Sequence, residues 1–224
     1  MAVVVLGRIA RSFGGAGLAL AAWPRHRTLG SPSRALSNLA ALALGVSRRL
    51  GEIVKLELLE AESGPVVKKV WEEYHAESEA ACGVTVDAAQ YAMLMERLKD
   101  SPMFIAPVRR GEGFFVLAMQ HKEQSLCLTF LEEFKKSPET ATPWVFATLY
   151  DDLLESKGLA LLRADFMPHL ITKEEVAKTL SQLLTTYTSD RYDRIWIFNH
   201  APKFFKVDEY LDECGCTVGS KKDE

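Results

Sequence analysis

No Asp or Glu occurs before Glu52, yet seven Arg stand in that stretch, at positions 8, 11, 25, 27, 34, 48 and 49. A head with seven positive charges and no negative one, joined to a body with 20 basic and 30 acidic side chains, reads as two different segments in one chain. Residues 1–51 are therefore predicted to stay outside the fold as a disordered leader. Richness in Ala, Leu, Arg and Ser with no acid is the pattern of a mitochondrial transit peptide. The physical basis is a positive, weakly amphipathic helix drawn to acidic receptors and pulled inward by a negative-inside potential. The alternative is a secretory signal with Phe13–Trp23 as its apolar core, but the Arg residues continue well past that run. Phe13–Trp23 is also too short to span a bilayer, so stable membrane insertion is not expected. Processing is predicted between Arg34 and Glu52.

The rest of the chain has the opposite sign. Of 27 Lys+Arg and 30 Asp+Glu in the chain, residues 52–224 keep 20 basic and all 30 acidic side chains. An acidic body argues against nucleic-acid binding, which needs a basic face to neutralise phosphates. The remaining length suits one domain with a real core, expected as a monomer. Four cysteines, Cys82, Cys127, Cys214 and Cys216, lack zinc spacing and read as reduced thiols.

Helical periodicity comes first along this body. Pro65 suits a first helical turn, and Val67, Val70, Trp71 and Tyr74 recur at helical spacing. His75 reads as solvated on the polar side. A second helix follows Thr85, with Ala88, Tyr91, Ala92, Met95 and Leu98 on one face, and ends at Asp100-Ser101-Pro102. Strands are then predicted at 103–109, 114–120, 126–130, 144–149, 159–166 and 194–199. Arg110-Gly111-Glu112-Gly113 reads as a hairpin turn. Asp151 is expected to cap a short helix that Gly158 ends. Thr172 and Glu175 form a capping box ahead of a stripe of Val176, Leu180, Leu183, Leu184 and Tyr187. Pro202 opens a last helix with Phe204, Val207, Tyr210 and Leu211. The prediction is an α+β domain, a mixed or mostly antiparallel sheet of about six strands with packed helices. Its organisation is 1–51 leader, 52–100 helical N-terminal region, 101–214 α+β domain and 215–224 polar tail.

The chemical motifs are mostly missing. No P-loop, dinucleotide fingerprint, Gly-x-Ser-x-Gly elbow, His-Glu-x-x-His or EF-hand loop occurs, and no cofactor or metal is expected. His121 with Cys127 is the nearest approach to a nucleophile and base, but Cys127 stands mid-strand as a small apolar filler. His169 reads as a loop surface residue. Asp165 reads as a strand-end residue and not as half of a carboxylate pair. In Phe198-Asn199-His200-Ala201-Pro202, Asn199 and His200 either satisfy orphan N–H groups at a helix start or form a rim where a partner docks.

Four stretches share a pattern in order and spacing: Ser101-Pro102-Met103-Phe104-Ile105-Ala106-Pro107-Val108-Arg109-Arg110 running on to Gly113-Phe114-Phe115; Pro143-Trp144 with Thr148-Leu149-Tyr150-Asp151-Asp152-Leu153; Lys157-Gly158-Leu159-Ala160-Leu161-Leu162-Arg163; and Phe198-Asn199-His200-Ala201-Pro202-Lys203-Phe204-Phe205. Together they resemble the mitochondrial F(1) complex assembly factor 1 family, chaperones for the catalytic head of ATP synthase. The resemblance covers residues 101–211. It implies a non-catalytic matrix protein that binds the free β subunit before the α subunit does, shielding an apolar interface from aggregation. The residues taken as candidate partner contacts are Arg163, Asn199, His200, Pro202, Phe205 and Trp144. Arg163 and Asn199 are placed near the ends of two neighbouring strands, with a structural role for both as the alternative. The runner-up function is a small matrix enzyme using a Cys/His site.

Overall fold

The computed structural model describes residues 47–216. The leader as far as residue 46 and the tail from 217 lie outside them. Eight helices are described: α1 (Leu56–Ala61), α2 (Gly64–Ala76), α3 (Ala88–Asp100), α4 (Leu131–Lys136), α5 (Leu154–Lys157), α6 (Lys173–Thr188), α7 (Tyr192–His200) and α8 (Val207–Glu213). Six strands run β1 (Ala81–Asp87), β2 (Met103–Arg110), β3 (Gly113–Lys122), β4 (Ser125–Phe130), β5 (Pro143–Tyr150) and β6 (Leu159–Phe166).

Local signals set many of these boundaries. Pro65 lies in the first turn of α2, where its missing N–H costs nothing. The Asp87 carboxylate accepts the Gln90 N–H at the head of α3. Thr172 and Glu175 close the reciprocal box on α6. Gly111, at φ +58°, turns the β2–β3 hairpin, and Gly158, at φ +67°, ends α5. Asp151 does not cap α5. Its carboxylate instead accepts from the Tyr91 hydroxyl and Gln124 Nε2, at 3.3 and 2.9 Å, because both reach it from α3 and the β3–β4 turn.

The sheet order is β1-β6-β5-β4-β3-β2, antiparallel throughout. β2 to β6 form a meander, and β1 closes onto β6, pairing Ala81 with Asp165 and Asp87 with Leu159. α6 touches β1 and β6 at one side of the sheet and β2 at the other, so the sheet curls around it.

Two sequence expectations are corrected here. Residues 194–199 are not a strand; they lie in α7, and Ile195, Phe198 and Asn199 are the residues it buries, a helical spacing. Ile195 and Ile197 alternate as a strand would, but packing on β2 and α6 decides for helix. The sixth strand is instead Ala81–Asp87, inside the stretch read as helical. Arg163 and Asn199 are thus not on neighbouring strands.

Both faces of the sheet are covered. On β5, Val145, Ala147 and Leu149 join the main core with α3 and α6, while the alternating Phe146 and Tyr150 belong to two smaller clusters behind the sheet. One of these gathers Leu50, Ile53, Leu59, Val67, Trp71, Tyr150, Leu153 and Leu161. α2 therefore lies on the outer face and is rotated from the predicted stripe. Val67, Trp71 and His75 are buried, whereas Val70 and Tyr74 face solvent. Leu50 is 1% exposed, and Ser47 and Arg48 reach Thr148 and Asp165, so the chain is packed from Ser47 onward.

The cysteine tail is a further correction. Gly215, at φ +68°, folds the chain back after α8; its N–H bonds Asp212 O and that of Cys216 bonds Leu211 O. Cys216 is consequently buried against Leu211 and not on a polar tail.

Candidate functional site

The structure divides the six nominated residues among three places. Arg163 lies on the outer face beneath α2, 5% exposed. Its guanidinium binds Asp165 at 2.7 Å, which Arg48 also approaches at 3.4 Å. Burial works against the Arg163 cation, and Asp165 more than offsets it. A second guanidinium nitrogen stands 3.2 Å from His75 Nε2. His75 Nδ1 lies 2.8 Å from Trp71 O, and a carbonyl can only accept, so Nδ1 carries the proton and Nε2 receives the Arg163 N–H. Burial pushes the His75 pKa down to about 4. Trp71 Nε1 donates to Leu162 O, and Lys173 Nζ donates to the last carbonyls of the α2 region, His75, Ala76 and Ser78, each at 2.7 Å. Gly83 sits below: a Cβ there would overlap the His75 ring and lie 2.8 Å from Trp71 Nε1. The cluster clamps α2 to β1 and β6. His75, read from sequence as solvated, is 2% exposed because this clamp covers it.

Asn199, His200, Pro202 and Phe205 do come together, where α7 meets the start of β2. The Asn199 amide accepts the Met103 N–H at 3.2 Å and donates to Met103 O and Ile195 O at 2.7 and 2.8 Å. It satisfies the outward backbone groups of Met103, at the start of the edge strand β2. Pro202 is buried and Phe205 packs edge-on against Phe104 and Phe198. His200 stays at the surface, 3.3 Å from both Asp100 and Ser101. Trp144 is elsewhere, stacked on Phe130 at 5.0 Å and beside Phe115, over which Arg110 lies. Arg110 also holds Glu175 through two bonds of 2.7 Å.

The thiol candidates do not converge with a base. His121 pairs in register with Leu126 and Cys127 with Gln120, which puts the two side chains on opposite faces of the sheet. His121 contacts the carbonyls of Leu98 and Glu123. Burial raises all four thiols, Cys127 to about 11. Among the described residues no group of three or more His, Cys, Asp or Glu is placed to hold a metal ion, and no helix is long and apolar enough to cross a membrane.

The most exposed large apolar side chains near a nominated residue are Trp196 on α7, 45%, and Phe204, 65%, after it. Trp196 lies beside His200. Ile197, Phe204, Phe205 and Tyr210 floor an open groove of about 280 Å³ between α7 and α8, rimmed by Asp193, Arg194, Lys206, Glu209 and Glu213. Sequence reasoning missed this groove. Reading Arg194-Ile195-Trp196-Ile197-Phe198 with helical period would have turned Trp196 away from Ile195 and Phe198.

The family model described as ATP11 protein matches residues 43–209. Two relatives named ATP synthase mitochondrial F1 complex assembly factor 1 are each 24% identical to the chain: that of Danio rerio over 71% of this chain and 53% of its own length, and that of Homo sapiens over 74% and 51%. The Mus musculus protein of the same name is 21% identical, over 74% of this chain and 52% of its own length. The chain spans about half the length of the curated relatives it matches. Because the family match runs from the packed N-terminal segment through the sheet, α6 and α7 into α8, this chain belongs to the ATP11 protein family.

Proposed function

We propose that this chain is a mitochondrial assembly factor for the F1 part of ATP synthase, acting in the matrix as a non-catalytic monomeric chaperone of the free β subunit. The arginine-bearing residues ahead of Ser47 direct import. Family membership and the relatives' names support the assembly role. The observation that carries the chaperone reading is the groove between α7 and α8, with an apolar floor and a charged rim. That is the anatomy of a protein interface: an apolar centre that gains on desolvation and a polar edge that selects the partner. The α subunit, with a larger surface to bury, displaces such a holder. The opposite-face placement of His121 and Cys127 gives the thiol-enzyme reading no support.

The test is light scattering of unfolded β subunit diluted into buffer with the purified protein. Phe204→Ala with Lys206→Glu, two exposed residues that line the groove, is expected to abolish protection and β-subunit capture while leaving the thermal midpoint within about 2 °C, since both side chains are already exposed. Undiminished capture by this folded double variant would refute the assignment of the groove. Failure of the wild-type chain to capture β subunit would refute the function.

A further inference from the structure

A second groove adjoins the first across the Arg194–Glu213 pair and has a different character. A cavity of about 190 Å³ runs between β2, α6 and α8, floored by Ala106, Pro107, Leu183 and Tyr210. A smaller one of about 30 Å³ continues it past Arg109 and Lys178; Pro107, Thr179, Gln182 and Cys214 line both. Two carboxylates border this channel, and both are spent: Glu175 on Arg110 and Glu213 on Arg194. Arg109, Lys178 and Arg191 border it too and have no carboxylate partner among the described residues. In a body with 20 basic and 30 acidic side chains, a channel whose cations have no carboxylate partner among the described residues is a local reversal of sign.

The backbone along the channel is also unusual. β2 is an edge strand. Met103 is covered by Asn199, and the Ile105 carbonyl by the Tyr210 hydroxyl at 3.2 Å. These contacts show that the odd-numbered residues turn away from β3. By the same alternation the Pro107 carbonyl and both polar backbone groups of Arg109 face outward, and among the described residues nothing hydrogen-bonds to them there. These guards thus stand at the start of the edge, and the stretch beside Arg109 has none among the described residues.

We propose that this channel binds an acidic, extended peptide segment of a partner protein. Carboxylates meet Arg109, Lys178 and Arg191, and the open edge of β2 supplies backbone hydrogen bonds. The identity of the partner as the β subunit rests on the function proposed above; the chemistry of the channel does not.

The experiment uses the full chain and a short fluorescein-labelled peptide of alternating Glu and Val, read by anisotropy, with a Lys-Val peptide as control. Arg109→Glu with Lys178→Glu and Arg191→Glu is expected to weaken the acidic peptide at least about tenfold. Lys68→Glu with Lys69→Glu on α2, which reverses distant charges, should leave it unchanged. The arginine leader is present in every variant, so the difference reports the channel alone. Equal binding of both peptides, equal loss in the α2 variant, or undiminished binding by the folded triple variant would overturn the proposal. So would binding that appears only after residues 217–224 are removed, which would assign the channel to the chain's own tail. β-subunit capture that survives while peptide binding fails would sink this inference and leave the chaperone role standing.

Discussion

Acidification should drain stability from this fold through His75. In solution a histidine takes up its proton near pH 6.5, whereas burial under α2 delays uptake to about pH 4. Nearby cations, Arg163 and Lys173, oppose the charged ring, and the Asp165 carboxylate favours it without prevailing. Protonation would also turn Nε2 from an acceptor into a donor facing the Arg163 guanidinium. The folded pKa is depressed, so between about pH 6.5 and 4 the unfolded chain binds more protons at this site than the folded one. The contribution is fully present above pH 6.5 and is lost as the pH falls through that window. Each pH unit is worth about 1.4 kcal/mol, giving about 3 kcal/mol in all, a large part of a typical domain's net stability. Urea unfolding followed by tryptophan fluorescence from about pH 7.5 to about pH 4.5 measures it. His75→Gln is the control. Its amide can donate to Trp71 O and accept from Arg163 but cannot titrate. Other titrating groups, including His121, which burial also pushes down, are common to both proteins and cancel in the difference. The wild type should lose about 2–3 kcal/mol more than the variant over this range. Parallel curves would refute the assignment of a buried, neutral His75.

Asn199→Ala should cost about 2–4 kcal/mol by stranding the Met103 N–H and carbonyl, and lower Tm by several degrees; an unmoved Tm would return Asn199 to the list of pure interface residues. Gly83→Ala drives a methyl into His75 and Trp71 and should destabilise by about 3 kcal/mol, with loss of α2 protection in hydrogen exchange; a neutral effect would mean α2 is not seated as described. Leu50→Ala should cost about 2–4 kcal/mol, and the mature N-terminus read by mass spectrometry should lie at or before Ser47, since a later cut discards a packed leucine; a stable mature chain beginning after Leu50 would contradict both. Cys127→Ala should cost about 1 kcal/mol and leave protection of the β subunit intact; loss of protection in the folded variant would revive a thiol role.

Features readable from sequence were those fixed by neighbours in the chain. Pro65, the Thr172–Glu175 box and the Gly111 and Gly158 turns act over a few residues, and the structure uses each as expected. Features settled by distant partners were not readable. Arg194–Asn199 is rich in strand formers and still forms a helix, because Ile195 and Phe198 find their pockets only at that spacing. Ala81–Asp87 carries a glycine in a short run beside a strong helix, and nothing local says that β6 waits for it. His75 looked solvated because its cover comes from Arg163 and Lys173, far along the chain. Of the nominated residues, those of one sequence stretch, Asn199 to Phe205, were brought together; Arg163 and Trp144, from separate strands, went elsewhere.

The sheet order also sets a timetable for folding. The meander from β2 to β6 joins strands that are consecutive in the chain, so its contacts close short loops and can form as the chain emerges. β1 has no such neighbour. Its partner β6 ends at Phe166, and the cluster under α2 needs Tyr150 and Leu161 as well. A chain delivered N-terminus first must therefore hold Leu50, Trp71 and the whole of β1 exposed until most of the domain has emerged, and then close one long loop at an entropic cost. A chain cut short before β6 would have nothing to receive them. The protein proposed to shield another subunit's apolar surface thus spends its own early life with such a surface uncovered.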